Sequence, residues 1–282
     1  MKRIACAVLS GALVFVGIGN MELTGYGAEF SYKEANAIGP GINAAVGVNN
    51  FLNLEVTNPI VKPVDKYSYD QMERDIQALE QSYGDKITVN IIGTSRDGRK
   101  IYDIILGNPQ PEAHILMHRP NHARENKTPQ EMMSQMEYAL INYDTGRYIF
   151  KPVSDMLKKT AIHFIPMTNP DGVTLSQFGI DGIHSDELKR IIRTCYASDV
   201  NLGKTTDTFE VYLSKWKANA GGVDLNYNFP YGWNELSTTL TSPSYAAYKG
   251  TSPLSEPESQ ALASIADQYP WAITISYHSQ GE

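Results

Sequence analysis

The chain has 282 residues, 42% hydrophobic and 20% charged, and 24 Lys and Arg against 31 Asp and Glu give a formal net charge of −7. That composition excludes disordered, collagen-like and coiled-coil chains. With no basic block it offers no electrostatic footprint for a nucleic acid.

Met1-Lys2-Arg3 is a basic start, followed by an apolar run from Ile4 to Ile18 and small residues at Gly25, Gly27 and Ala28. This order reads as a secretory signal peptide over residues 1–28. The run is short for a bilayer span, which needs about 20 apolar residues. The expectation is a secreted or extracytoplasmic protein with no stable membrane span after cleavage. Of the two cysteines, Cys6 and Cys195, only Cys195 would remain, so no intramolecular disulfide is expected. Residues 29–64, rich in Asn, Gly, Ala and Val, read as a linker or short pro-segment.

Regular structure is expected over residues 65–282. Ser68 with Gln71 makes a capping box. Met72, Ile76 and Leu79 repeat at helical spacing until Gly84. Ile87 to Ile92 and Lys100 to Leu106 are β-rich runs joined through Asp97-Gly98, a hairpin signal. Ala113 to His118 reads as another strand. Thr128-Pro129-Gln130-Glu131 opens a helix, with Thr128 as N-cap and Pro129 in the first helical position. Met132, Met133, Met136 and Leu140 give that helix its apolar face. Thr160 to Pro166 is a strand. Residues 173–221 are the least periodic stretch and read as an elaborated surface region. Ser255-Glu256-Pro257-Glu258 opens a further helix, and Trp271 to Tyr277 is a last strand. Alternating strands and helices define an α/β class: a single domain with a mixed, mostly parallel sheet and helices on both faces.

His122-Ala123-Arg124-Glu125 follows a predicted strand, and a His and a Glu three residues apart can converge on one cation from a strand-end turn. Zn²⁺ suits nitrogen and oxygen ligands, and a catalytic site needs three of them with one position open. His278, at the end of the last strand, fits as the third. His114 and His118 lie within or at the edge of a strand, His163 reads as a packed core residue, and His184 falls in the irregular region.

Four motifs then occur in order: Asn121 to Glu125, Asn169-Pro170-Asp171-Gly172, Gly222-Val223-Asp224-Leu225-Asn226 and Tyr277-His278-Ser279. With flanking stretches such as Gly93 to Arg99 and Asn228 to Trp233, the chain resembles the zinc metallocarboxypeptidase family typified by carboxypeptidase A. Trp216-Lys217-Ala218-Asn219 and His278 to Glu282 resemble its bacterial branch, which includes γ-D-glutamyl-diamino-acid peptidases that cut cell-wall peptides.

The resemblance implies one Zn²⁺ per chain, held by His122, Glu125 and His278. Two neutral imidazoles and one carboxylate leave a zinc ion net positive, so it can supply Lewis acidity to a carbonyl and to water. Asp224 matches the carboxylate that accepts a hydrogen bond from the first ligand histidine and fixes its tautomer. Arg124 and Asn226 match substrate-contacting residues. The neighbour of Asn226 is an arginine in digestive relatives and is Tyr227 here. Tyrosine lacks the charge and the fork geometry that clamp a terminal carboxylate, so a different carboxylate, as on a diamino acid or D-glutamyl unit, is the expected target. Lys217 stands where the family has an oxyanion-stabilising arginine. Asn169 to Gly172 reads as an architectural turn. Tyr231 and Trp233 are candidates to line a groove.

Zinc-assisted hydrolysis also needs a general base. In this family that is a glutamate on a strand well after the third ligand, and only Ser279 to Glu282 follow His278. No catalytic base is therefore assigned, and the domain is expected to be incomplete at its C-terminal end. The leading expectation is a zinc-dependent metallopeptidase acting on peptides or peptidoglycan peptides. The alternatives are a catalytically weak zinc- or peptide-binding fragment, and a zinc deacylase or amidase on a related fold. The Asn169 to Gly172 and Gly222 to Asn226 motifs favour the peptidase over the last.

Overall fold

A five-stranded sheet in the order β1-β2-β6-β3-β7 organises the chain. The computed structural model describes residues 58–118, 122–148, 151–236 and 240–279. The signal-peptide reading over 1–28, most of the linker reading, Cys6, Asn121 and Glu282 lie outside these residues. The strands are β1 (Ile87–Thr94), β2 (Lys100–Gly107), β3 (Ala113–His118), the short pair β4 (Arg147–Tyr148) and β5 (Lys151–Pro152), β6 (Thr160–Ile165) and β7 (Trp271–Ser276). The helices are α1 (Tyr69–Tyr83), α2 (Thr128–Ile141), α3 (Val153–Leu157), α4 (Pro170–Phe178), α5 (Asp186–Asn201), α6 (Phe209–Ser214) and α7 (Pro257–Ala266).

The sheet is mixed and has two halves. β1 pairs antiparallel with β2, and β2 antiparallel with β6. β3 runs parallel to both β6 and β7. The hairpin follows from its turn: Gly98 takes a φ of 86°, a left-handed conformation that favours glycine. Helices cover both faces, as the period-2 alternation of the strands requires. Tyr102, Ile104, Ile115, Met117, Ile162 and Phe164 point to one face with Met72, Ile76 and Leu79 of α1 and the Met132, Met133 and Met136 stripe of α2. Ile101, Leu116 and Ile165 point to the other, against Ala261, Leu262 and Ile265 of α7. That helix approaches so closely that a Cβ on Gly93 would stand 2.7 Å from the Cβ of Ala261.

Helix starts agree with the sequence in kind and differ in detail. Ser68 caps α1 by accepting from the Gln71 amide at 3.1 Å. At α2 the cap is Lys127, without a side-chain bond, and Thr128 is already helical. The Thr128 hydroxyl donates back to the carbonyl of Glu125 at 2.6 Å instead of capping forward. Asn169-Pro170-Asp171-Gly172 is the first turn of α4 and not an isolated turn, with the Asn169 side chain accepting from the Gly172 amide. Asp171 is fully buried, accepting from Ser95 Oγ, the Asp97 amide and Arg99 Nη1. It clamps the β1–β2 hairpin, in keeping with an architectural role.

Residues 173–221 are not an irregular surface region. They carry α5, a 16-residue helix capped by Ser185. Leu188, Ile192 and Cys195 of that helix pack with Tyr212, Leu213 and Trp216 in a separate core. Within it, burial and then Asp199 push the Cys195 thiol up to about 12, which makes it unreactive. Residues 58–64 have no helix or strand, yet they are tied down. The Ile60 and Val61 amides both donate to the buried Glu137 carboxylate, at 2.6 and 2.9 Å. These bonds tie residues 60 and 61 to α2. No described helix is long and apolar enough to cross a membrane.

Candidate metal centre

The parallel half of the sheet places the candidate ligands. β3 and β7 are adjacent and point the same way, so the segments leaving their carboxyl ends emerge side by side. The Tyr277 amide donates to the His118 carbonyl at 3.0 Å, extending the pairing past the end of β7. Ligand sites of open α/β sheets fall at such strand ends.

The loop after β3 is held from two sides. Ala123 is fully buried in the core formed by α5 and α6. Its amide donates to the Lys217 carbonyl at 3.1 Å, and its carbonyl accepts from Ser176 Oγ at 2.9 Å. These bonds aim His122 and Glu125 inward, 8% and 3% exposed. His122 Nδ1 lies 2.9 Å from Glu125 Oε1, and His278 Nδ1 lies 3.3 Å from Glu125 Oε2. The ligand atoms of all three residues fall within 4.8 Å of one another. The two imidazole rings meet edge to face with centroids 4.9 Å apart. Burial would raise the Glu125 carboxyl, but hydrogen bonds and charge from His122 and His278 hold it at about 2. It is an anion at any neutral pH.

This donor set fits zinc. Zinc bonds of about 2.0–2.2 Å set the donors of a tetrahedral site roughly 3.3–3.5 Å apart. Measured to the single donor atom Glu125 Oε1, the separations are 2.9 Å from His122 Nδ1 and 3.5 Å from His278 Nδ1, close to that spacing. Two imidazoles and one carboxylate leave the fourth position to a non-protein ligand.

Asp224 and Asn226 both stand at the far nitrogen of His122. The Asn226 amide nitrogen is 2.8 Å from His122 Nε2, and Asp224 Oδ1 is 3.7 Å from it. When Nδ1 carries the hydrogen, it donates to Glu125, and Nε2 accepts from Asn226. When a bare Nδ1 faces a cation, Nε2 carries the hydrogen and needs an acceptor, which the Asp224 carboxylate supplies. Asp224 is fully buried and fixed by bonds from the Asn226 amide, 3.3 Å, and the Ala247 amide, 3.0 Å. The sequence singled out both residues but not this sharing of one imidazole nitrogen.

The remaining candidates differ in their surroundings. Arg124 is half-buried, and its Nε is buried without a hydrogen-bond partner. Lys217 is half-buried and its backbone bridges two loops, donating to the Tyr245 carbonyl at 2.8 Å and accepting from Ala123. Tyr227 is half-buried in the short 3₁₀ turn Leu225–Tyr227. Tyr231 is 99% exposed and lines no groove among the described residues. Trp233 lies under Lys249, whose Nζ is 4.7 Å from the ring centroid. Sequence reasoning missed the support around the ligands, including the Ser279 amide on Glu125 Oε2 at 3.3 Å and the Tyr277 hydroxyl on Gln135 Oε1 at 2.9 Å.

His163 is a core residue as expected. Its Nδ1 bonds the buried Asp103 carboxylate at 2.9 Å, and its Nε2 faces His114 Nδ1 at 3.1 Å.

Fold and site together define an α/β protein with three side chains that could hold a metal ion, gathered at the carboxyl ends of parallel strands. The chain belongs to the zinc carboxypeptidase family, whose model matches residues 72–282. It is 31% identical over 227 residues to γ-D-glutamyl-L-diamino acid endopeptidase 1 of Lysinibacillus sphaericus, covering 79% of this chain and 52% of that one. It is 28% identical over 234 residues to the Bacillus subtilis strain 168 protein YqgT, covering 81% of this chain and 58% of that one. The chain thus spans about half the length of these curated relatives. In fold it is similar to carboxypeptidase A from Helicoverpa armigera, with a TM-score of 0.55 at 19% identity over 84% of this chain and 52% of that structure.

Proposed function

We propose that the protein is a zinc-dependent peptidase that binds one Zn²⁺ per chain through His122, Glu125 and His278. The observation that carries this reading is the convergence of those three donors within 4.8 Å at the ends of β3 and β7. When bound, zinc supplies Lewis acidity toward a peptide carbonyl and toward water. The chain's own residues do the rest. Asp224 serves as acceptor for a hydrogen bond from His122 Nε2–H and so fixes the ring tautomer. Arg124, half-buried between the two ligands of its loop, is the candidate to donate to a substrate oxygen through its guanidinium. Lys217, whose carbonyl accepts from the Ala123 amide of the ligand loop, is the candidate source of positive charge. Tyr227 cannot clamp a terminal carboxylate as an arginine would. That substitution, with the identity to a γ-D-glutamyl-L-diamino acid endopeptidase, supports peptidoglycan peptides as substrates. The basic start and apolar run of residues 1–28 support an extracytoplasmic location.

A second reading, zinc or peptide binding without efficient turnover, has one observation in its favour. Glu125 is the sole carboxylate of the three-donor cluster among the described residues, and it is a ligand, so no general base is identified there.

The test is metal analysis of the full chain together with hydrolysis of γ-D-glutamyl-diamino acid peptides and ordinary C-terminal peptides. The expected result is one zinc per chain, lost in His122→Ala, and cleavage confined to the first peptide class. Zinc binding with no cleavage of either class favours the second reading. An intact fold that binds no zinc overturns both.

A further inference from the structure

The third ligand differs from the other two in how it is supported. His122 and Glu125 share one loop anchored by the buried Ala123. His278 leaves β7, which is the edge of the sheet among the described residues and whose residues are half-exposed or exposed. Its side chain is 19% exposed, against 1% for Glu125. Main-chain bonds that hold this segment include Tyr277 N to His118 O and Ser279 N to Glu125 Oε2. The second of these runs to a ligand side chain and cannot position it independently.

A side-chain bond closes the frame. The Tyr277 hydroxyl donates to Gln135 Oε1 at 2.9 Å across 142 residues of sequence. Gln135 lies on α2, seven residues after Thr128, which is two helical turns along one face. Thr128 in turn binds the Glu125 carbonyl through its hydroxyl at 2.6 Å and its amide at 3.2 Å. The path from Glu125 through Thr128, two rigid turns of α2, Gln135, Tyr277 and His278 returns to Glu125 at the 3.3 Å contact with His278 Nδ1. Each link is a hydrogen bond, a covalent segment or helix, so the frame fixes the gap between the second and third donors.

We propose that Tyr277 and Gln135 form a positioning pair that sets His278 against Glu125 and so determines metal affinity. The proposal rests on the zinc reading above. Tyr277 touches no metal and acts through its neighbour. Groups that hydrogen-bond a ligand directly are worth about 10–100-fold in metal affinity. This pair acts one step further out, on the main chain next to His278, so a loss of a few fold is expected, because a ligand must be held within about 0.5 Å of its bonding geometry.

The experiment is competitive zinc titration of the metal-free full chain against a chromophoric chelator, for the unsubstituted protein, Tyr277→Phe, Gln135→Leu and the double variant. Thermal unfolding of the metal-free forms is measured alongside. Each single variant is expected to bind zinc about three- to tenfold more weakly, at or below the lower end of what a direct partner of a ligand is worth. The double variant is expected to be no weaker than the singles, because either change already opens the frame. The metal-free melting temperature should fall by no more than about 2–4 °C, the scale of one hydrogen bond in a chain of this size. Zinc affinity within twofold of the unsubstituted chain in both single variants overturns the pair. So do losses that simply multiply in the double variant, since independent effects do not make a tie. An unsubstituted chain that binds no zinc overturns the metal reading and this pair with it, and is recognised before any variant is compared.

Discussion

Two histidine–carboxylate clusters lie on the same sheet, and only one is a candidate metal centre. His122, Glu125 and His278 sit on loops beyond the strand ends and point both Nδ1 atoms at one carboxylate. Asp103, His163 and His114 sit within strands β2, β6 and β3, strung in a line. Both nitrogens of His163 are engaged, one with Asp103 and one with His114. Tyr269 and Trp271 fill the surrounding space, with ring centroids 4.8 Å from that of His163. Residue type is shared, and geometry separates the roles. Donors that converge leave room for an ion, whereas donors in series satisfy one another. Loops past the ends of parallel strands allow convergence because their backbone is free of the ladder. Strand positions alternate rigidly across the sheet.

The largest effect that tests this contrast is His163→Leu. It leaves the buried Asp103 carboxylate without its imidazole hydrogen-bond partner, and an unsatisfied buried acceptor that is ionised costs about 3 kcal/mol or more. Denaturant unfolding should show a loss of that size, while the zinc affinity of the folded fraction stays within twofold. A matching loss of zinc affinity would mean that the two clusters are coupled through the sheet, and the distinction would fail.

The contrast extends to a third buried carboxylate that has no imidazole beside it. Glu258 accepts from the Arg96 amide at 3.1 Å and from Asn219 Nδ2 at 3.0 Å. Burial first, and then the negative charge of Asp171, raise its pKa from 4.5 to about 7. Here the folded state holds the proton more tightly than the unfolded chain. Stability contributed by this group is therefore greatest below the unfolded value and falls as pH rises from about 4.5 to about 7, by roughly 3 kcal/mol across the window. The sign is opposite to that of a carboxyl whose pKa is depressed, such as Glu125. Unfolding measured from pH 4.5 to 8 should show this slope, and Glu258→Gln, which cannot ionise, should flatten it. An unchanged slope in the variant would assign the pH dependence elsewhere.

Which parts of this were legible in the sequence follows from the range of the interactions. The strands and the hairpin were readable because alternation and Asp97-Gly98 are local. His122 and Glu125 were readable because one loop carries them, and His278 because it ends a strand. Helix α5 was missed although Ser185, Asp186 and Glu187 mark its start. Leu188, Ile192 and Cys195 are its few buried apolar residues among many charged ones, so its stripe is thin. The Tyr277–Gln135 bond and the sharing of His122 Nε2 by Asp224 and Asn226 span 142 and more than 100 residues. No local period encodes such contacts. The first of them depends on β3 and β7 being neighbours, which strand order alone decides.

The smallest effect compares two helix starts that use the same chemistry in different places. Ser68 caps α1 far along the chain from the ligands, and its hydroxyl oxygen serves the Gln71 amide. Thr128, at the first turn of α2, uses its hydroxyl to hold the carbonyl of Glu125. Ser68→Ala and Thr128→Val should each lower stability by about 1 kcal/mol. Neither leaves a buried charge, and the Glu125 carbonyl keeps the Thr128 amide at 3.2 Å. The two should part company on zinc. Ser68→Ala should leave affinity unchanged, because α1 reaches the centre only through packing. Thr128→Val should weaken it by a few fold, because the bond it removes fixes the main chain of a ligand. Equal zinc affinities in the two variants would mean that the buried Ala123 anchor alone holds Glu125 in place. The start of α2 would then be support for the core and nothing more.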